Sequence, residues 1–303
     1  MDIGVVLPQI AATPDQAIMA ARRAEASGAD SVWVIDHLVA FRPERGILEP
    51  WTMLSALATA TERVELGAMV FCQSFRNPAL LAKMITTLDL VANGRVRTLV
   101  GAGWFETEYR QYGWDFPPAG VRVEQLRDAV RILKGMFTSP AGFTYEGKHY
   151  RVRGAVNLPA PSRRIGVEVG GAGDRILRLI AAEADGWNCP AAALGSVEER
   201  LAFLGSECER RGRRLSELRL SVQIVCAVGD DSGLAHPMLS AFAPELGIVG
   251  SIASAADRLR YLIGLGFSGF YCIVPPGPSG LACLDRLLVD VVPRVRRELA
   301  GAG

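Results

Sequence analysis

The chain has 303 residues, 33 of them basic and 32 acidic, for a net charge of +1. That length suits one large α/β domain or two ordinary ones, and the charge balance gives no reason to expect a nucleic-acid binder or a membrane-surface protein. Half the residues are hydrophobic, so a sizeable core is expected, yet no apolar run approaches the roughly 20 residues of a membrane span.

Short apolar runs alternate with helical periodicity along the chain. Residues 3–7 read as a strand buried on both faces. Thr13-Pro14-Asp15-Gln16 then opens a helix. Thr13 caps it, Pro14 takes the first helical position, and Gln16 reaches back to the cap. Apolar Ile18, Ala21 and Ala24 follow, and Gly28 stops the helix. Strands over 31–35 and 64–71 flank a helix over 50–61. Asn77-Pro78 opens a third helix and Asn93-Gly94 ends it. A strand over 96–101 and a helix over 121–137 form the fourth unit. In 143–152, aromatic and β-branched residues flank Glu146-Gly147, the pattern of an inserted hairpin.

The alternation resumes with a strand over 165–169, a helix over 174–183 and a short strand over 186–188. Ser196-x-x-Glu199 reads as the capping box of the next helix. A long strand over 219–228 precedes a less regular segment over 229–250. Ser254-x-x-Asp257 reads as the cap of a helix ending at Gly266. A strand over 270–274 and a helix over 281–299, bent near Pro293, complete the pattern. Eight β/α units in one domain over 1–303 predict a (β/α)8 TIM barrel. Its two insertions are the hairpin after the fourth helix and the irregular segment after the seventh strand. A doubly wound open sheet is the alternative. The glycine fingerprint of its dinucleotide-binding forms is missing, because Pro8-Gln9-Ile10-Ala11 follows Leu7.

In a barrel, ligands bind at the strand C-terminal ends. Those ends carry Pro8-Gln9, Asp36-His37, Cys72-Gln73-Ser74, Gly101-Ala102-Gly103-Trp104, Gly170-Gly171-Ala172-Gly173, Trp187-Asn188-Cys189 and Pro275-Pro276. Asp36-His37 pairs an acid with an imidazole that titrates near neutrality; a helix cap or a solvated loop would use the same residues. The backbone of 170–173, at the start of a helix, suits a phosphate as well as a plain tight turn. Gly101-Ala102-Gly103-Trp104 lets a flat ring approach the backbone beside an aromatic wall, or is a glycine-lined turn with a core Trp. Glu49 aims a carboxylate into the mouth or starts a helix. His149 and His236 read as surface residues. Three scattered histidines and six cysteines without a C-x-x-C pair give no metal site. Free thiols and the lack of a leader-like N-terminus point to the cytoplasm.

Several segments together resemble the bacterial-luciferase-like family, in particular its flavin- and coenzyme F420-dependent oxidoreductases. They are Ile3-Gly4-Val5, Ser31-Val32-Trp33-Val34-Ile35-Asp36-His37, Leu48-Glu49-Pro50-Trp51, Phe75-Arg76-Asn77-Pro78-Ala79-Leu80-Leu81-Ala82-Lys83 and Gly94-Arg95-Val96. They continue in Gly101-Ala102-Gly103-Trp104-Phe105-Glu106-x-Glu108-Tyr109, in the 170–173 glycines and in Ala184-Asp185-Gly186-Trp187-Asn188. The resemblance implies a (β/α)8 barrel, usually a homodimer, with the deazaflavin or flavin at the strand C-termini. It implies that Asp36 and His37 stand beside the ring and that a non-prolyl cis peptide joins Met69 and Val70 beneath it. Cys72, Ala102 and Gly103 would line the ring, and Gly170, Gly171, Ala172 and Gly173 would hold the side-chain phosphate.

The sugar-phosphate dehydrogenases of this family carry a catalytic Glu where this chain has Trp104, so that substrate is not expected unless Glu106 or Glu49 substitutes. The expectation is therefore an F420-dependent oxidoreductase moving hydride between the deazaflavin C5 and a small organic substrate. His37 would transfer the proton, oriented by Asp36, with Glu49 nearby. Trp104, Phe71, Trp187 and Trp51 would wall the site, and the two insertions would lid it. An FMN-dependent monooxygenase using O2 and a reductase partner is the alternative, and a non-catalytic ligand-binding relative the third reading.

Overall fold

The computed structural model describes residues 1–42, 44–229, 247–275 and 277–301. His236 and most of the expected irregular segment lie outside them. Twelve strands are formed among the described residues: β1 Asp2–Val6, β2 Ser31–Val34, β3 Glu65–Ala68, β4 Phe71–Cys72, β5 Val96–Gly101, β6 Phe143–Glu146, β7 Arg151–Ala155, β8 Val167–Gly170, β9 Gly186–Cys189, β10 Arg219–Val228, β11 Ile248–Gly250 and β12 Gly269–Ile273. The parallel order β1-β2-β3-β5-β8-β9-β10-β12 closes on itself, since β12 pairs back to β1 with Asp2 opposite Gly269 and Val5 opposite Cys272. This is the (β/α)8 barrel. The antiparallel β6–β7 hairpin stands outside it, as the pattern around Gly147 predicts.

Helices α1 Pro14–Ala26, α2 Pro50–Ala60, α3 Pro78–Val91, α4 Glu106–Gln111, α5 Ala119–Thr138, α6 Asp174–Glu183, α7 Val197–Glu209, α8 Ile252–Gly264, α9 Pro278–Arg286 and α10 Val292–Gly301 complete the described elements. None is long and apolar enough to cross a membrane. The Thr13–Gln16 capping box forms in both directions. Two expected caps do not. Ser196 ends a 3-10 turn over Ala191–Ser196 and makes no cap bond, and α8 is capped by Ser251, three residues before Ser254. A serine offers the same hydroxyl in any register, so the spacing alone does not choose among neighbours. A π-helical turn over Leu287–Val291 interrupts the last helix just ahead of Pro293. Helix α4 has too few residues to show a period in the sequence.

Two apolar layers hold the fold. Between sheet and helices, strand residues such as Ile3, Leu66 and Val167 meet Leu54, Ile85, Leu133 and Leu177, all excluded from solvent. Each such side chain contributes roughly 1.5–3 kcal/mol through burial. Inside the barrel, Trp33, Met69, Leu99, Val225, Tyr271 and Ile273 form a second cluster, with the Trp33 and Tyr271 rings 4.1 Å apart. Below it, at the strand N-terminal ends, Arg97 pairs with Glu168 and Glu65, and Arg219 pairs with Asp2. Charge thus gathers at one end of the barrel.

Candidate active site

The mouth is shaped first by a break in one strand. β3 pairs with β2 as far as Ala68, opposite Val34. The Met69–Val70 peptide bond is cis, and the chain resumes as β4, paired with β5 at Val100 and Gly101. Val70 then projects between two glycines. A Cβ on Gly170 would stand 2.7 Å from Val70 Cγ1, and one on Gly101 would overlap Cγ2. The floor is therefore a narrow apolar strip in which a side chain at 101 or 170 would press on Val70. Ala102 and Gly103 continue it, half-buried. Gly103 lies at φ +77°, and a Cβ there would meet both Tyr109 Oη and Cys72 Sγ.

Asp36 turns inward at the end of β2 and is 3% exposed. Its Oδ2 accepts from the Cys72 N–H at 2.7 Å, and Arg76 spans both oxygens at 2.9–3.1 Å. Burial raises this carboxyl, against the pull of Arg76. Arg76 reaches on to Glu49 Oε1 at 3.2 Å. Glu49 caps α2, accepting from the Trp51 and Thr52 N–H groups. Burial works to raise its carboxyl, but the Thr52 and Trp51 amides and Arg76 outweigh it and hold the group below the usual value. Glu49 is thus committed to a helix end, which argues against the expected role at the reacting centre.

His37 faces the other way. Its partner is Glu108, not Asp36: Nδ1 lies 2.9 Å from Glu108 Oε1, while Glu108 Oε2 accepts from the Leu38 N–H at 3.0 Å. Asp36 has no bond to spare, because Arg76 and Cys72 take both its oxygens. Glu108 is 2% exposed and sits in α4. A carboxylate at Nδ1 makes that nitrogen the donor and leaves Nε2 an acceptor. Nε2 makes no hydrogen bond with any described residue.

Three rings surround the imidazole edge-on: Phe41 at 5.2 Å, Trp104 at 5.6 Å and Phe105 at 6.0 Å between centroids. Trp104 is 63% exposed and Phe41 40%, so this apolar wall belongs to the open mouth. The other expected walls differ. Phe71 and Trp187 are wholly buried on the helix side of the sheet, since strand alternation points them away from the lumen. Trp187 instead donates its indole N–H to the Gly171 carbonyl at 2.7 Å and fixes that turn. Trp51 is partly buried against Phe71.

Cys72 is a packing residue. Its Sγ lies 3.1 Å from Tyr109 Oη, and burial pushes the thiol up to about 12. The 170–173 turn leads into α6, whose N-cap Gly173 provides no side-chain acceptor. Its first amides stay open to an anion, whereas Thr13, Glu49 and Asn77 close α1, α2 and α3. Glu106 is exposed and pairs with Arg110 at 2.6 Å. The hairpin docks on this rim through Tyr150 Oη, which donates to Gln73 Oε1 at 2.8 Å. His149 is pinned rather than free, with Nε2 2.9 Å from Glu124 Oε2. Among the described residues no cluster of His, Cys, Asp and Glu could hold a metal.

Sequence reading assigned no role to Glu108, Arg76, Phe41 or Phe105. The signal for the first two was faint: each lies within a segment of the family resemblance, but nothing local ties residue 108 to residue 37.

A family model described as luciferase-like monooxygenase matches residues 1–267. An F420-dependent glucose-6-phosphate dehydrogenase of Amycolatopsis mediterranei (strain U-32) is 32% identical over 179 residues, covering 58% of this chain and 53% of that protein. This chain thus spans about half the length of that relative. One from Intrasporangium calvum (strain 7 KIP among its designations) is 26% identical, covering 90% and 92%. Among solved structures, an F420-dependent secondary alcohol dehydrogenase in complex with an F420–acetone adduct superposes with a TM-score of 0.84 at 21% identity, covering 97% of this chain and 99% of that one.

Proposed function

The chain belongs to the luciferase-like monooxygenase family, and on that premise we propose that it is an F420-dependent oxidoreductase acting on a small organic substrate with an apolar face. The observation that carries this reading is the His37–Glu108 pair, its free Nε2 set among Phe41, Trp104 and Phe105 at the rim of the glycine floor. The names of the similar dehydrogenases support the choice of cofactor.

The residues present fit such a group. Val70, Gly101, Ala102 and Gly103 would lie against its flat ring, and the uncapped start of α6 would take its phosphate. When bound, the deazaflavin supplies hydride transfer at C5. The chain supplies the rest. Nε2 of His37 takes or returns the substrate proton, and Glu108 holds the imidazole in that tautomer and steadies its charge. Asp36 and Arg76 lock the end of β2 so that residue 37 is aimed. By the family resemblance Trp104 takes the position of the catalytic Glu of the sugar-phosphate dehydrogenases, and its exposed indole favours an apolar substrate over a sugar phosphate. The family expectation of a homodimer and the cytoplasmic location expected from the free thiols go with this reading, and gel filtration of the purified chain tests the assembly.

Fluorescence titration tests the cofactor. Saturable quenching by F420 at micromolar levels, with no response to FMN, is expected. Binding of FMN alone would make the FMN-dependent monooxygenase the better reading, and binding of neither would favour the non-catalytic one.

A further inference from the structure

The barrel rim holds a charged cleft that hydride transfer does not use. It measures about 280 Å³ and is lined by Gly120, Val123 and Glu124 with Arg127, Arg175 and Arg178. It lies between the first turns of α5 and α6. Barrel helices begin at the strand C-terminal ends, so the cleft opens on the same side as the mouth.

Its positive charge is only partly balanced locally. Arg175 has no partner among the described residues. Arg127 stands 3.7 Å from Glu183, but Arg131 already holds both oxygens of that carboxylate at 2.7 Å. Arg178 stands 3.5 Å from Glu207, which Arg210 and Arg211 hold at 2.7 and 2.6 Å. Glu124, the acid of the lining, is taken by Lys148 at 2.7 Å and His149 at 2.9 Å. Three guanidinium groups therefore share one cleft while the nearby carboxylates are engaged by other cations. Such an arrangement repels itself until an anion enters.

A Cβ on Gly120 would overlap Arg175 Nη1. Glycine at 120 lets the guanidinium cross the cleft and lie against α5.

We propose that this cleft is a carboxylate subsite, taking the acidic tail of the ligand whose ring occupies the mouth. The inference rests on the F420 reading, because that coenzyme extends beyond its phosphate as a chain of glutamates. The 170–173 turn, suited to the phosphate, runs directly into Asp174 and Arg175. Guanidinium groups match carboxylates with paired hydrogen bonds.

Fluorescence titration of the full chain with F420 carrying several glutamates, and with the same deazaflavin nucleotide carrying none, tests it. Arg175→Ala should weaken the tailed ligand on the order of tenfold, and high salt should shrink that difference. The tail-less ligand should bind equally to both proteins. A tri-γ-glutamate peptide alone, titrated calorimetrically, judges the cleft apart from the cofactor: it should bind the wild type and not Arg175→Ala. Equal affinity of both ligands for wild type and Arg175→Ala, or a peptide indifferent to residue 175, overturns the subsite. Displacement of the peptide by an equal concentration of inorganic phosphate would overturn the assignment to a carboxylate chain. Failure of every deazaflavin to bind would instead sink the cofactor reading, while the peptide still reports on the cleft.

Discussion

His37 and Glu108 are 71 residues apart in the chain and 2.9 Å apart in the mouth. One segment follows β2 and the other, α4, follows β5, and both oxygens of Glu108 join them, one at the imidazole and one at the Leu38 N–H. Glu108→Gln keeps the shape but removes the charge that steadies a protonated imidazole. Turnover should fall roughly 100-fold with cofactor affinity unchanged, and Glu108→Asp should restore part of it. Steady-state kinetics beside a cofactor titration checks this; equal losses in both would mean Glu108 merely supports the loop.

Removing the imidazole goes further. His37→Ala should lower turnover by about 10²–10⁴ while the deazaflavin still binds within roughly twofold. Unchanged turnover would remove His37 from the mechanism.

Asp36 makes a different prediction, because its partners are structural. Its carboxylate is buried, and Arg76 is nearly so. Leaving Arg76 without it should cost about 3–5 kcal/mol, read as a lower denaturant midpoint for Asp36→Leu. Replacing both residues with apolar ones of similar size should recover much of that loss. A single variant as stable as the wild type would refute the pairing.

The floor predicts a steric effect. Gly103→Ala would place a methyl group against Tyr109 and Cys72 at a φ of +77°. The expected loss is at least about 1–3 kcal/mol, with weaker cofactor binding. A thermal melt and a fluorescence titration read the two effects.

Glu124 carries the pH prediction. Lys148 and His149 hold its carboxyl at about 2, against 4.5 for the free group. A lowered folded value stabilises the native state above the unfolded value, and that contribution disappears as pH falls through 4.5 toward 2. Thermal melts of wild type and Glu124→Gln should differ above pH 4.5 and converge near pH 2. A constant gap would contradict the assignment.

The sequence exposed what is periodic. Apolar runs of buried parallel strands alternating with amphipathic helices revealed the barrel, and Glu146-Gly147 between aromatic residues revealed the hairpin. The position of Asp36-His37 after β2 marked the mouth. What stayed hidden depends on which way a side chain turns. Asp36 and His37 are neighbours in sequence, yet one faces Arg76 and the other Glu108. Phe71 and Trp187 have the right residue type for a wall, but strand alternation turns them outward. The pairing of residues 37 and 108 arises only when separate strands lie side by side, so no window on the chain contains it.

Closure of the barrel sets an order on its assembly. β1 finds its second neighbour only in β12, so Asp2 waits for Gly269. Contacts this distant in sequence make folding slow and leave strand edges open until late synthesis. The Asp36–Arg76 and His37–Glu108 contacts use only the first 108 residues of the chain. The half of the mouth that holds the imidazole can therefore be drafted early on the ribosome, and the last strand seals a constellation already sketched.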